Sequence, residues 1–256
     1  MRALKWLLAI VVLVAVLAGI LLATLPAGVA WRWAENSLRP LAMSGVDGSI
    51  WRGHADSVSL FGHDLGALDW TLAKRPMFTG RLVTDFHLSG AGIDAAGELT
   101  RERGGALSAA GLRFRFPAAR LAPLVPAAVG ALRGTVSGTL DSASVVHDLP
   151  LRAQGEARWS EVGFGALPSM NCPDLLARFA PAEAGGIEGT IGDGGGGDFG
   201  VAGTFSLKPS GYSLDIRLAP RTGDPAVRAI LQQLGRSEAD GSIVVALEGR
   251  LPAGWP

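Results

Sequence analysis

The chain has 256 residues, 23 of them basic and 23 acidic, with 36 glycines, 15 prolines and a single cysteine. Balanced charge excludes sequence-independent nucleic-acid binding, which needs a basic surface to displace counterions. Glycine and proline at this level describe short strands and turns rather than long helices, and one cysteine excludes any intramolecular disulfide.

Arg2 and Lys5 precede a run from Trp6 to Leu25, WLLAIVVLVAVLAGILLATL, in which 20 residues carry no charge. At about 1.5 Å per residue, a helix of that length crosses a hydrocarbon core of roughly 30 Å. Its apolar surface comes from Trp6, Leu7, Leu8, Ile10, Val11, Val12 and Leu13 in the first half and from Val14, Val16, Leu17, Ile20, Leu21, Leu22 and Leu25 in the second. The run is apolar all round, unlike an amphipathic core helix. It also exceeds the roughly 7 to 15 apolar residues of a secretory signal, although Pro26, Gly28 and Ala30 resemble a cleavage site. An uncleaved anchor and a cleaved signal both export the rest of the chain. With Arg2 and Lys5 ahead of the run and Trp31 and Trp33 behind it, the positive-inside rule predicts a cytoplasmic N-terminus over 1–5, an anchor over 6–25, a juxtamembrane segment over 26–41 and an exported body over 42–256.

A short helical continuation is expected over 33–41, stopped by Pro40. Beyond it the sequence alternates with a period of two. Leu82, Thr84, Phe86 and Leu88 oppose Val83, Asp85, His87 and Ser89; Leu112, Phe114 and Phe116 oppose Arg113 and Arg115; Tyr212, Leu214, Ile216 and Leu218 oppose Ser213, Asp215 and Arg217. Near the end, Ile243, Val245 and Leu247 share a side. One greasy and one wet face mark antiparallel strands. Further strands are predicted over 48–60, 66–73, 95–101, 133–146, 151–160, 186–191 and 199–207, so the fold class is mainly β: an antiparallel meander of about eight to eleven strands with few short helices, forming a curved sheet, a sandwich or an open trough. Trp51, Leu82, Phe86, Leu88, Leu112, Phe114, Phe116, Leu214, Ile216 and Val245 are the candidates for its apolar core or trough.

Helices are few. Pro123 and Pro126 break 117–132 into short turns, and two turns are expected over 173–179 after Cys172. The best helix covers 224–234, with Asp224 as N-cap, Pro225 at the first position, Val227, Ile230, Leu231 and Leu234 on one face, and Gly235 as terminator.

The chemistry-bearing residues are scattered. DGGGGD over 193–198 is followed by strand residues rather than a helix and lacks a phosphate-binding lysine, so it reads as a hairpin tip. His54, His63, His87 and His147 lack zinc-site spacing, no nucleophile elbow occurs, and no carboxylate pair stands out. Cys172 reads as a packing residue. The sequence therefore offers no catalytic residue, cofactor site or metal site. SGVDGSIWRG over 44–53 reads as turn glycines, Gly45 and Gly48, leading into a strand through Ile50 and Trp51.

The basic N-terminus, the apolar span, GSIWRG (48–53), LGALDWTL (65–72), GEARWSEV (155–162), MNCPDLLARF (170–179), LQQLGR (231–236) and DGSIVVALEGRL (240–251) occur in that order. In this series the chain resembles the type II secretion system protein N family. The resemblance implies a Gram-negative inner-membrane protein with one span and a periplasmic β-rich domain, an accessory part of the machinery that exports folded proteins across the outer membrane. Its implied partners are the inner membrane and other type II secretion subunits. The resemblance also suggests kinship with AsmA-like proteins, whose β-sheets form lipid-accommodating troughs, which makes lipid a further candidate partner. It supplies no catalytic residues.

Overall fold

The computed structural model describes residues 25–77, 79–90, 92–124, 130–145, 152–165, 170–183, 185–208 and 211–249. The predicted anchor lies outside them apart from Leu25, and among the described residues no helix is long and apolar enough to cross a membrane. The chain forms two units, Met1–Ala91 and Gly92–Pro256. Fourteen strands are described, and neighbours within each unit pair antiparallel.

In the first unit a helix, α1 (Ala27–Ala34), and a 3-10 turn, Glu35–Ser37, precede four strands. These are β1 (Leu41–Gly48), β2 (Arg52–Leu60), β3 (His63–Leu72) and β4 (Leu82–Gly90), with one helical turn, α2 (Lys74–Met77), between the last two. They pair in chain order. The predicted continuation helix therefore starts earlier and ends before Leu41, and the predicted strand over 48–60 begins only at Arg52. Residues 49–51 form the β1–β2 turn, in which the Ser49 amide donates to the Arg52 carbonyl at 2.9 Å. Trp51 sits in that turn instead of on a strand. Buried Ala55 and Val58 fix the packed side of β2.

The second unit contains β5 (Ile93–Arg101), β6 (Leu107–Pro117), β7 (Leu132–Val145), β8 (Arg152–Phe164), β9 (Leu175–Pro181), β10 (Ile187–Asp193), β11 (Phe199–Lys208), β12 (Gly211–Pro220), β13 (Arg236–Ser237) and β14 (Ile243–Gly249). The order follows the chain as far as β12, then runs β14 and β13. A 3-10 turn, Ala118–Leu124, follows β6, as the prolines require. The helix α3 (Pro225–Gln232) forms where Pro225 and the apolar stripe predicted it. Residues 173–179 are not helical: β9 begins at Leu175. The strand count exceeds the expectation of eight to eleven through β1, β9 and β13, none of which the alternation had marked.

Two buried clusters anchor this unit. Val227 and Leu231 of α3 pack on Phe199, Val201, Leu218 and Ile243. Ala118, at the start of the 3-10 turn, packs on Leu132 and Val136 with Phe116 and Trp159 beside them.

Candidate functional site

The register of the second unit sorts its apolar residues into rows that cross the strands. Residues directly opposite in an antiparallel pair point to the same face. One row runs Phe114, Gly138, Ala157, Ala177, Ile191, Gly203, Ile216, Val245. The next runs Leu112, Leu140, Gly155, Phe179, Gly189, Phe205, Leu214, Leu247. Neither row contains a charged or hydroxyl side chain, and every position in both is half-buried. On the opposite face the same strands present Arg113, Arg115, Glu156, Arg178, Asp215 and Arg217, all exposed.

Each row sets large side chains beside two glycines. A Cβ added at Gly138 would lie 2.7 Å from the Phe114 ring, and one at Gly189 would lie 2.7 Å from the Phe205 ring. The rings therefore lie flat across their cross-strand glycines, which gives the face a broad aromatic and aliphatic surface. The first unit uses the same device, with Trp70 over Gly53, and the Trp70 indole N–H donates to the Ile50 carbonyl at 3.2 Å.

Of the predicted core or trough residues, Leu112, Phe114, Leu214, Ile216 and Val245 share these two rows, the first two on β6 and the others on β12 and β14, with β7 to β11 between. Phe116 belongs to a third row, beside buried Val136. In the first unit Phe86 and Leu88 face Trp70 and Leu68 across β3 and β4 and are half-buried. Leu82 is exposed, at 40%. Trp51 lies on neither face: its ring takes the Lys74 ammonium at 5.2 Å from the centroid, a cation–π contact. The row structure itself escaped the sequence reading. Its signal was present in the glycines of GTVSGTL and GEARW, which fall on the apolar parity of their strands.

The polar groups serve the framework. Asp193, at the start of the glycine loop, accepts hydrogen bonds from the amides of Gly195 at 3.0 Å and Val201 at 2.7 Å, and it pairs with Arg221, which also reaches the Gly196 carbonyl. Burial acts to raise the Asp193 pKa, but these donors outweigh it and hold the carboxyl below its ordinary value. Asp174 is likewise lowered, first by the Arg158 guanidinium and further by the Glu161 amide, against a smaller effect of burial. DGGGGD is thus a hairpin tip pinned by its own aspartate. Cys172 is half-buried, packs beside the α3 cluster, and has its thiol pushed up by burial and by Asp198.

His54 of β2 lies between Asp69 at 2.8 Å and Asp56 at 3.4 Å, and the hydrogen bond its Nδ1–H donates to the Asp69 carboxylate leads the causes that raise its pKa from 6.5. His63 and His87 stand elsewhere on β3 and β4, and His147 lies outside the described residues. Among the described residues no three His, Cys, Asp or Glu side chains converge to hold a metal ion.

Strand edges complete the inventory. β13 pairs only with Val244 and Ile243, so β14 from Val245 to Gly249 has no second strand partner among the described residues. A family model, Type II secretion system (T2SS), protein N, matches residues 39–246. No curated protein and no solved structure matches the chain.

Proposed function

Because the chain belongs to the type II secretion system protein N family, we propose that it acts as an accessory inner-membrane component of that system, working by protein–protein contact rather than catalysis. Residues 6–25 anchor it, the N-terminus faces the cytoplasm, and both β units stand in the periplasm. The observation that carries the contact role is β14, which among the described residues has no second strand partner from Val245 to Gly249. Its outward N–H and C=O groups from Val245 to Gly249 can accept a strand from another subunit.

The test combines gene deletion with crosslinking. Deletion should leave exported enzymes in the periplasm and deplete them from the medium, and a photo-crosslinker at Ala246 should capture another secretion subunit. Normal secretion in the deletion strain would overturn the proposal.

The two half-buried apolar rows favour a second reading, in which an acyl chain of a periplasmic phospholipid lies along the face. Mass spectrometry of the protein extracted in mild detergent distinguishes the readings. Stoichiometric phospholipid that is lost on Leu214→Arg supports lipid handling, and its absence leaves the contact role alone.

A further inference from the structure

The first unit holds a second surface, built at the end where the uncharged run emerges. Leu25, the last residue of that run, accepts a hydrogen bond through its carbonyl from the Ile50 amide at 3.1 Å, and Pro26 bridges to Ser49. The β1–β2 turn is therefore fastened to the point where the chain leaves the run. The next residue, Trp51, accepts from the Leu72 amide at 2.8 Å and carries the Lys74 ammonium over its ring. This brings the β3–β4 connection to the same place.

Charge within the two connections has one sign. Residues 48–52 and 73–82 contain Arg52, Lys74, Arg75 and Arg81 and no acidic residue. Arg52, Lys74, Arg75 and Arg81 are all exposed, and no carboxylate forms an ion pair with Arg52, Lys74 or Arg75 among the described residues. Asp47, Asp69 and Asp85 stand on the adjoining strands β1, β3 and β4, and Asp85 shares the register of Arg52 through Thr71, so the positive excess belongs to the connections and not to the sheet behind them. The far end of β2 differs in kind: its turn to β3 presents Phe61, His63 and Asp64.

We infer that Arg52, Lys74 and Arg75, gathered around Trp51 at the exit of the uncharged run, form a docking surface for anionic phospholipid headgroups. Basic side chains gain attraction to an anionic leaflet only within a Debye length, about 10 Å, and the tie between Leu25 and Ile50 supplies that closeness. A tryptophan with one face under a cation suits the headgroup layer, where an amphipathic ring has apolar and wet surroundings at once. The basic residues lie more than 25 positions beyond Leu25 in sequence, outside the roughly 15 to 20 residues over which flanking charge sets orientation. Folding, not proximity in the chain, gathers them.

The inference rests on the proposal that residues 6–25 anchor the chain, and the experiment separates the two. The full chain with Cys172→Ser carries a spin label at Thr79→Cys, beside the basic residues, or at His63→Cys, at the far end. It is placed in nanodiscs of phosphatidylcholine with or without phosphatidylglycerol. Failure to co-purify with either disc would refute the anchor. With the chain retained, the label at 79 should lose at least about threefold of its collision rate with a water-soluble paramagnetic reagent in phosphatidylglycerol discs relative to the label at 63. That loss should disappear in pure phosphatidylcholine and in the triple variant Arg52→Glu, Lys74→Glu, Arg75→Glu, whose folding is checked by unchanged near-ultraviolet circular dichroism. Equal collision rates at 79 and 63, equal protection in both lipids, or protection surviving in the folded triple variant would each overturn the docking surface. A soluble acidic partner protein would give the first of these results.

Discussion

The margin and the centre of the second unit's apolar face have the same composition and different cover. At the margin Val136, Val201, Leu218 and Ile243 are buried, because the Ala118–Leu124 turn packs at one place and α3 at another. One and two rows inward, Phe205, Leu214, Ile216 and Leu247 are only half-buried, although no charged residue interrupts them. Alternation along a strand sets which face is apolar, but only the connections decide how much of that face is sealed. The margin is a core, and the centre is only half-covered.

Mutations can break this contrast in descending order of effect. Leu231→Ala removes a side chain with 0% exposure from the α3 cluster and should cost about 2–5 kcal/mol, read from urea unfolding of the full chain in detergent. Gly189→Val sets a branched side chain against the Phe205 ring and the Arg178 carbonyl, which already lies 2.3 Å from an added Cβ. The expected loss is about 1–3 kcal/mol from overpacking. Leu214→Ala, in the centre, should cost only about 1 kcal/mol because the leucine is half-buried in the folded state. A cost at Leu214 equal to that at Leu231 would show that the central rows are covered after all.

Titration gives smaller effects. The folded pKa values of Asp193 and Asp174 are depressed, so each contributes stability above its unfolded value, and that contribution is lost as pH falls through the folded value. Asp193→Asn should flatten the acid limb of the stability curve, which urea midpoints below pH 5 would reveal. On the polar face of the first unit, His54 has the opposite sign. Its raised pKa gives stability that is fully present below 6.5 and lost as pH rises through the folded value. Proton NMR should place the His54 titration above 6.5 and bring it down in Asp69→Asn; no change on that substitution would remove the assigned cause.

Much of this architecture was legible because a half-covered sheet writes itself into the sequence. Phe114 between Arg113 and Arg115, or Ile216 between Asp215 and Arg217, leaves little choice of face. The misreadings have local causes. β9 looked helical because Leu176 interrupts the alternation of Leu175, Ala177 and Phe179, and Leu176 in fact stands on the outer face at 38% exposure. β1 was hidden by Gly45 and Gly48, whose positive φ values of 62° and 84° suggest turns although both residues lie within the strand. Residues 49–51 were given to a strand because Ile50 and Trp51 are strong strand formers, yet the turn needs them to meet Leu25 and Lys74. Cover and convergence depend on contacts between distant segments, and single-strand periodicity carries no record of those.

The strand order has a consequence for how such a chain is made. From β1 to β4 and again from β5 to β12, each strand pairs with the one synthesised just before it. Loop closure is therefore short at every step, and each hairpin can form on the preceding one as the chain emerges, without waiting for a distant partner. The exception is the end, where β14 must reach past β13 to join β12 and α3 must settle on Leu218 and Ile243. Maturation of the second unit is thus gated by the segment from Pro225 to Gly249. A chain stalled or truncated before β14 would expose the edge of β12 and the unsealed margin together, which marks it for proteolysis rather than assembly.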